Sequence, residues 1–302
     1  MSMKTSEAIK NAVKTVPKKN AKNRAPRFTA CMLAFFVVFY VFSVCACSES
    51  DRTDEENLPV VIIGSDDYHP YFCSGENGTF SGIDVSLATE ALKRMGYKAV
   101  FKKINWTDKD EILNAGEVDC LWGSFSMNDR ENKYSWAGPY LYSRQVVMVA
   151  SNSDIYTLAD LKGRSIGVQA TSKPDEIFSK RTDPRIPEVK YLYCFVSMDN
   201  AFAAIRKGYV DAVAGHQIPL KVRVIESSSD EKEYRFLDEA LMVSKLGVAF
   251  KKNTHAETIA GLNERFAEMR DDGFIRNLLE EYGIEYETAV YGGEENAEIA
   301  RG

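Results

Sequence analysis

Val60-Val61-Ile62-Ile63-Gly64 is a run of four β-branched residues with no polar interruption, closed by a glycine. Strict alternation would mark a strand with one wet face. An unbroken apolar run marks a strand covered on both faces, as in a parallel sheet. A helical pattern follows: within Ile83 to Met95, Val85, Leu87, Ala88, Ala91, Leu92 and Met95 recur near helical spacing, and Gly96 supplies the stop.

Working forward, the alternation continues. The pattern predicts a strand over Ala99 to Ile104, a helix around Lys109 to Ala115, strands over Val118 to Trp122 and Val146 to Ala150, and a short helix at Leu158 to Leu161. Beyond Gly163 it predicts a strand from Ser165 to Gln169, a helix from Pro174 to Arg181 and a strand from Lys190 to Phe195. A helix from Met198 to Lys207 and a strand from Val210 to Ala214 complete that section. A late strand, Leu246 to Phe250, precedes amphipathic helices at Ala256 to Asp271 and Phe274 to Tyr282, parted by Gly273. Strands alternating with helices predict an α/β fold. The polar tail from Thr288 to Gly302 has little to bury and is expected to fray.

Working backward, residues 1 to 27 hold eight basic residues against one acid, Glu7, and Phe28 to Ser48 is uncharged. That is the order of a signal peptide, a positive region followed by an apolar one. An uncleaved membrane helix needs about 20 apolar residues and would fit the same stretch. Val44-Cys45-Ala46-Cys47 resembles a bacterial lipobox, in which a small residue precedes a cysteine that is lipidated and becomes the new N-terminus. That resemblance implies a signal peptide over residues 1–46, lipidation at Cys47, and a polar tether over 47–57. Cleaved or retained, the segment puts the rest of the chain outside the cytoplasm.

Without residues 1–46 the net charge is about −13, so nucleic acid is not an expected partner. Cys73, Cys120 and Cys194 remain in the folded part. Three cysteines make no complete disulfide set, and with only three histidines in the chain their spacing fits no zinc motif. Neither a metal nor a cofactor is expected.

An ordered series of short segments runs from Gly64-Ser65-Asp66-Asp67-Tyr68-His69-Pro70-Tyr71 through Gly82-Ile83-Asp84-Val85 and Gly116-Glu117-Val118-Asp119 to Gly123-Ser124-Phe125-Ser126 with Arg130. It continues through Trp136-Ala137-Gly138-Pro139-Tyr140, Leu158-Ala159-Asp160-Leu161-Lys162-Gly163, Gly208-Tyr209-Val210-Asp211-Ala212 and Phe266-Ala267-Glu268-Met269-Arg270-Asp271-Asp272-Gly273. Each piece is weak alone. In this order, from about Leu58 to Glu285, they resemble the polar amino-acid family of bacterial extracellular solute-binding proteins.

The resemblance implies a type II periplasmic-binding fold of two lobes, each a mixed sheet flanked by helices, joined by two hinge crossings near Ser143 and Ser244. One lobe would comprise 58–143 with 245–287, the other 144–244, leaving 288–302 as a flexible tail. The implied function is capture of an amino acid or related small carboxylate and its delivery to the permease and ATPase subunits of an ABC importer. The protein is expected to act as a monomer on a lipid anchor at the outer face of the cell membrane.

It also implies site residues. Arg130 matches the position that clamps a ligand carboxylate, a task suited to a planar donor fork; Gly123, Ser124 and Ser126 form a turn offering N–H groups and hydroxyls to the same group. The step from Ser126 to Arg130 is one residue shorter than the family's common pattern. Tyr68 and Trp106 match ligand walls, Asp66 a position facing the ligand's amino group or side chain, and Thr171 and Ser172 donors from the second lobe, where a plain helix cap is the competing role. Trp122 reads equally as core or contact. At His216 the resemblance predicts an aspartate for the ligand α-ammonium; a histidine supplies no permanent negative charge, so Asp66 or Gln217 would have to replace it. The competing functions are an enzyme on the same fold, dehydratase-like, and a ligand-sensing input to a receptor. The sequence holds no nucleophile elbow, zinc helix motif or phosphate loop.

Overall fold

The computed structural model describes residues 58–181, 183–227 and 233–292. The expected signal segment, the lipidation position Cys47 and the tether lie outside these residues. The first strand, β1 (Val60–Ser65), is followed by the short hairpin β2 (Cys73–Ser74) and β3 (Phe80–Ser81), then helix α1 (Ile83–Arg94), β4 (Lys98–Lys103), α2 (Lys109–Ala115) and β5 (Cys120–Leu121). A 16-residue strand, β6 (Ser135–Ala150), leads to β7 (Ser165–Gln169), α3 (Lys173–Lys180), β8 (Tyr191–Phe195), α4 (Met198–Arg206), β9 (Ala212–His216) and α5 (Gln217–Glu226). The chain closes with β10 (Tyr234–Phe236), β11 (Met242–Phe250), α6 (Ala256–Asp271), α7 (Phe274–Glu281) and α8 (Tyr286–Tyr291).

The strands form a mixed sheet in the order β4-β1-β5-β11-β6-β9-β7-β8, with β10 also on β6. β1 lies between β4 and β5, parallel to both, as its unbroken apolar run predicts. β7 likewise lies between β8 and β9, parallel to both. These two parallel groups are joined through the antiparallel pair β6 and β11, whose register runs from Gln145 opposite Met242 to Ser135 opposite Phe250. Ser143 lies directly opposite Ser244 in that ladder, the two places where hinge crossings are expected.

Several element bounds differ from those predicted. β6 begins eleven residues before Val146 because Trp136-Ala137-Gly138-Pro139-Tyr140 is part of it. The expected strand over Val118 to Trp122 shortens to Cys120–Leu121. Helix α5 and strand β10 were not anticipated. The tail expectation needs correction at its start: Thr288 to Tyr291 belong to α8, whose first turn is capped by the Glu285 carboxylate, and Ala289 and Val290 are buried against the core. Tyr286, Ala289 and Val290, spaced i, i+3 and i+4, share the buried face of this short helix; residues 293–302 are outside the described part.

On one face of the first group, α1 and α6 carry Leu87, Leu92, Leu262 and Phe266 into the core, where Trp122 packs against Tyr140 and Phe266 with ring centroids 5.6 Å from each. α1 starts at Gly82, whose φ of 123° brings a would-be Cβ to 2.4 Å from the Tyr71 carbonyl oxygen; only glycine fits there. In the second group Ile166 and Val168 of β7 pack with Leu161 and Phe178.

Candidate functional site

A cavity of about 30 Å³ lies where the two strand groups meet, and every strand that reaches it does so by an end or a crossing. Asp66 and Tyr68 enter from the loop after β1, Gly123 to Ser126 from the turn after β5, and Gln145 from the crossing of β6. Gln169 and Ser172 come from the far side, with His216 from the end of β9. Loops at the carboxyl ends of parallel strands are where such folds gather ligand groups.

Of the residues singled out in the sequence, Asp66, Tyr68, Trp106, Gly123 and Ser124 line this cavity, as do Ser126, Arg130, Ser172 and His216. Thr171 does not. Its hydroxyl accepts from Lys109 Nζ at 2.8 Å and its carbonyl from Arg130 Nη2 at 3.4 Å. Ser172 takes the competing role as well, since its hydroxyl caps α3 by accepting from the Asp175 N–H. Trp122 is core, away from the cavity. Gln217 does not line it, which leaves Asp66 of the two acceptors considered.

The turn after β5 is held from outside the cavity. Ser124 has φ of 51°, and its N–H donates to the buried Asp84 carboxylate of α1 at 2.6 Å. Gly123 crosses so close to β1 that a Cβ there would fall 1.8 Å from Ser65 Oγ. The guanidinium of Arg130 stacks on Phe125, 5.1 Å from the ring centroid. Phe125 in turn meets the edge of Trp106 at 4.9 Å.

The electrostatics are unusual for a buried site. Burial pushes Asp66 up to about 7, only partly offset by the Gln169 amide that donates to its Oδ2 at 2.6 Å. Burial pushes His216 down to about 3, so its ring is neutral at ordinary pH. The ring stands edge-on to Tyr68, 5.8 Å between centroids. Arg130 does not point at open space: its Nε and Nη2 donate to Glu176 Oε1 at 3.1 and 2.7 Å. Burial alone would raise the Glu176 carboxyl, but Arg130 and Lys173 outweigh it and hold it below the usual carboxylate range.

Several contacts besides this pair cross between the strand groups. Lys173 Nζ, itself buried, reaches the Asn128 carbonyl and the Asp129 carboxylate, and Arg223 Nη1 reaches the His69 carbonyl. Sequence reasoning missed Glu176, Lys173, Gln145 and Gln169. Gln169 was signalled, as the last residue of a predicted strand; Glu176 and Lys173 sit on a helix whose orientation no local pattern reveals.

The comparisons with known proteins agree with this architecture. A family model described as bacterial extracellular solute-binding proteins, family 3, matches residues 60–285. The L-cystine-binding protein TcyA of Bacillus subtilis (strain 168) is 25% identical over 267 residues, 83% of this chain and 96% of its own length. The histidine-binding periplasmic protein of Salmonella typhimurium is 27% identical over 241 residues, 77% of this chain and 90% of its own. Among solved structures, the substrate binding protein of an amino acid ABC transporter superposes with a TM-score of 0.65 at 26% identity, covering 74% of this chain and 98% of that one.

Proposed function

This chain belongs to the bacterial extracellular solute-binding proteins, family 3, and from that premise we propose that it binds an amino acid between its two lobes and delivers it to an ABC importer without chemistry of its own. The observation that carries the reading is the meeting of a buried arginine, a buried carboxylate and the unpaired Ser124 hydroxyl in one cavity at the junction of the two strand groups. A zwitterion needs an anion site and a cation site a few ångströms apart, shielded from water, and this cavity offers both.

Arg130 takes the carboxylate in this reading, assisted by Ser124, Ser126 and the backbone of the Gly123 turn, with Ser172 approaching from the second lobe. Asp66 takes the amino group. Tyr68 and Trp106 wall the side chain, their faces accepting either apolar stems or cations. A cavity of 30 Å³ holds about one or two waters, so an amino acid enters as Glu176 leaves Arg130 and the halves part. Closure over a solute is then a hinge motion in which the ligand favours the closed state by touching both sides. Cystine and histidine, named for two relatives, are the first candidates.

The partners of this reading are the permease and ATPase subunits of an importer, with a lipid on Cys47 as the membrane anchor and a monomer as the working unit. The test is thermal melting of the purified full chain in mild detergent against a panel of amino acids, their derivatives and small carboxylates. A ligand bound only to the native state stabilises by RT ln(1 + [L]/Kd). A shift with one or a few solutes, lost in Arg130→Ala and without turnover by mass spectrometry, supports the reading. Turnover of the solute would assign the chain to the enzymes.

A further inference from the structure

The hinge strand β6 carries a side chain that the site described above leaves unexplained. Gln145 is fully buried, lines the cavity, and lies between His216 on β9 and Met242 on β11 in the ladder. Its Nε2 stands 2.8 Å from His216 Nε2 and 3.1 Å from Ser244 Oγ. An amide nitrogen has two protons and no free lone pair. At that contact the ring nitrogen therefore accepts, and the ring proton sits on Nδ1, which donates to Ser143 Oγ at 2.9 Å. The histidine is neutral, with both nitrogens committed, and acts as a clamp on the amide.

With both amide protons spent, the Gln145 carbonyl oxygen is the atom left over. Oε1 is inaccessible to solvent and has no partner among the described residues. A buried carbonyl without a donor is costly, and native proteins rarely keep one unless something supplies the donor. His216 on β9 and Ser244 on β11 both hold the amide by its nitrogen, and its oxygen meets neither of them. Asp66, from the loop after β1, faces the same cavity.

We propose that Gln145 reads the solute's amino group: its Oε1 accepts a hydrogen bond from the α-ammonium, while Asp66 supplies the negative charge. The inference rests on the amino-acid reading given above and adds to it. His216 and Ser143 are positioning residues that fix the amide. Because Gln145, Ser143 and Ser244 sit on the two crossing strands, the amino group is read at the hinge itself, and the carboxylate on the turn after β5.

The test uses the full-length chain and three matched pairs in which the second compound lacks only the amino group or groups: L-histidine and 3-(imidazol-4-yl)propionate, L-arginine and 5-guanidinovalerate, L-cystine and 3,3′-dithiodipropionate. Kd is measured by calorimetry. The wild type is expected to prefer the amine-bearing member of its pair by about tenfold or more. In Gln145→Met the amino acid weakens by about tenfold while its deaminated partner changes less than about twofold, so the preference collapses. Gln145→Glu, which keeps an acceptor of the same shape, retains the preference. Equal weakening of both members in Gln145→Met, or loss of the preference in Gln145→Glu, overturns the inference alone. Failure of the wild type to bind any of the six overturns the amino-acid reading, and this inference with it.

Discussion

Arg130 donates from both Nε and Nη2 to one carboxylate oxygen of Glu176, at 3.1 and 2.7 Å, and so ties the turn after β5 to helix α3 across the cavity. Under the proposed function this pair occupies the fork that a solute carboxylate would take, so a solute has to displace it; Lys173 lies 3.2 Å from the second oxygen of Glu176.

Glu176→Ala should therefore raise affinity for carboxylate solutes by about three- to tenfold, because a larger fraction of the protein has Arg130 free. Arg130→Ala should weaken the same solutes by about 2 kcal/mol or more, with Glu176 left without its guanidinium partner. Titration calorimetry on both variants reads the two effects with opposite sign.

Asp66 gives a pH signature. Burial raises its pKa to about 7 in the folded protein, above the ordinary 3.8, so the folded state binds the extra proton between those values and stability from this group falls as pH rises through that window. Asp84, also raised to about 7, acts in the same sense, and the depressed His216 acts oppositely below its ordinary value of 6.5. The clean measurement is the difference between variants: the melting temperature of Asp66→Asn minus that of the wild type should grow from pH 4 to pH 8. Affinity for an amine-bearing solute should rise across pH 7 in the wild type and stay flat in Asp66→Asn.

Asp84 should behave as a positioning residue. Asp84→Ala leaves the buried Ser124 N–H without its acceptor, at a cost of about 1–3 kcal/mol, and lets the turn that carries Ser124 and Ser126 move. Reduced melting temperature together with weakened carboxylate binding is the expected result.

Trp122 provides the contrast. Packed between Tyr140 and Phe266, away from the cavity, it should lower stability by about 2–4 kcal/mol when changed to Leu, with Kd for any bound solute unchanged. Chemical denaturation and calorimetry on the same sample separate the two.

Much of the site was legible in order but not in role. The Gly123-Ser124-Phe125-Ser126 turn, Arg130, Asp66 and Tyr68 are local signals, each at the end of a strand the pattern marks, and the structure brings them to one cavity. The resemblance implies Thr171 as a carboxylate donor after the strand ending at Gln169. In the structure its positive φ of 58° turns its carbonyl to Arg130 while its hydroxyl serves Lys109. The Trp136 to Tyr140 segment holds Gly138 and Pro139 and lies outside the strand expected from Val146, yet it belongs to β6; pairing with β11 on one side overrides local preference.

The sequence by itself determined the alternation of strands and helices, the double-sided burial of β1, and the stop at Gly96, because hydrophobic period and glycine geometry act within a few residues. Only the tertiary structure decided that Glu176 meets Arg130 and that Gln145, His216, Ser143 and Ser244 share one network. Those pairings join residues 46 to 101 positions apart, and their partners are chosen by which strands lie side by side, a choice that no local window of sequence encodes.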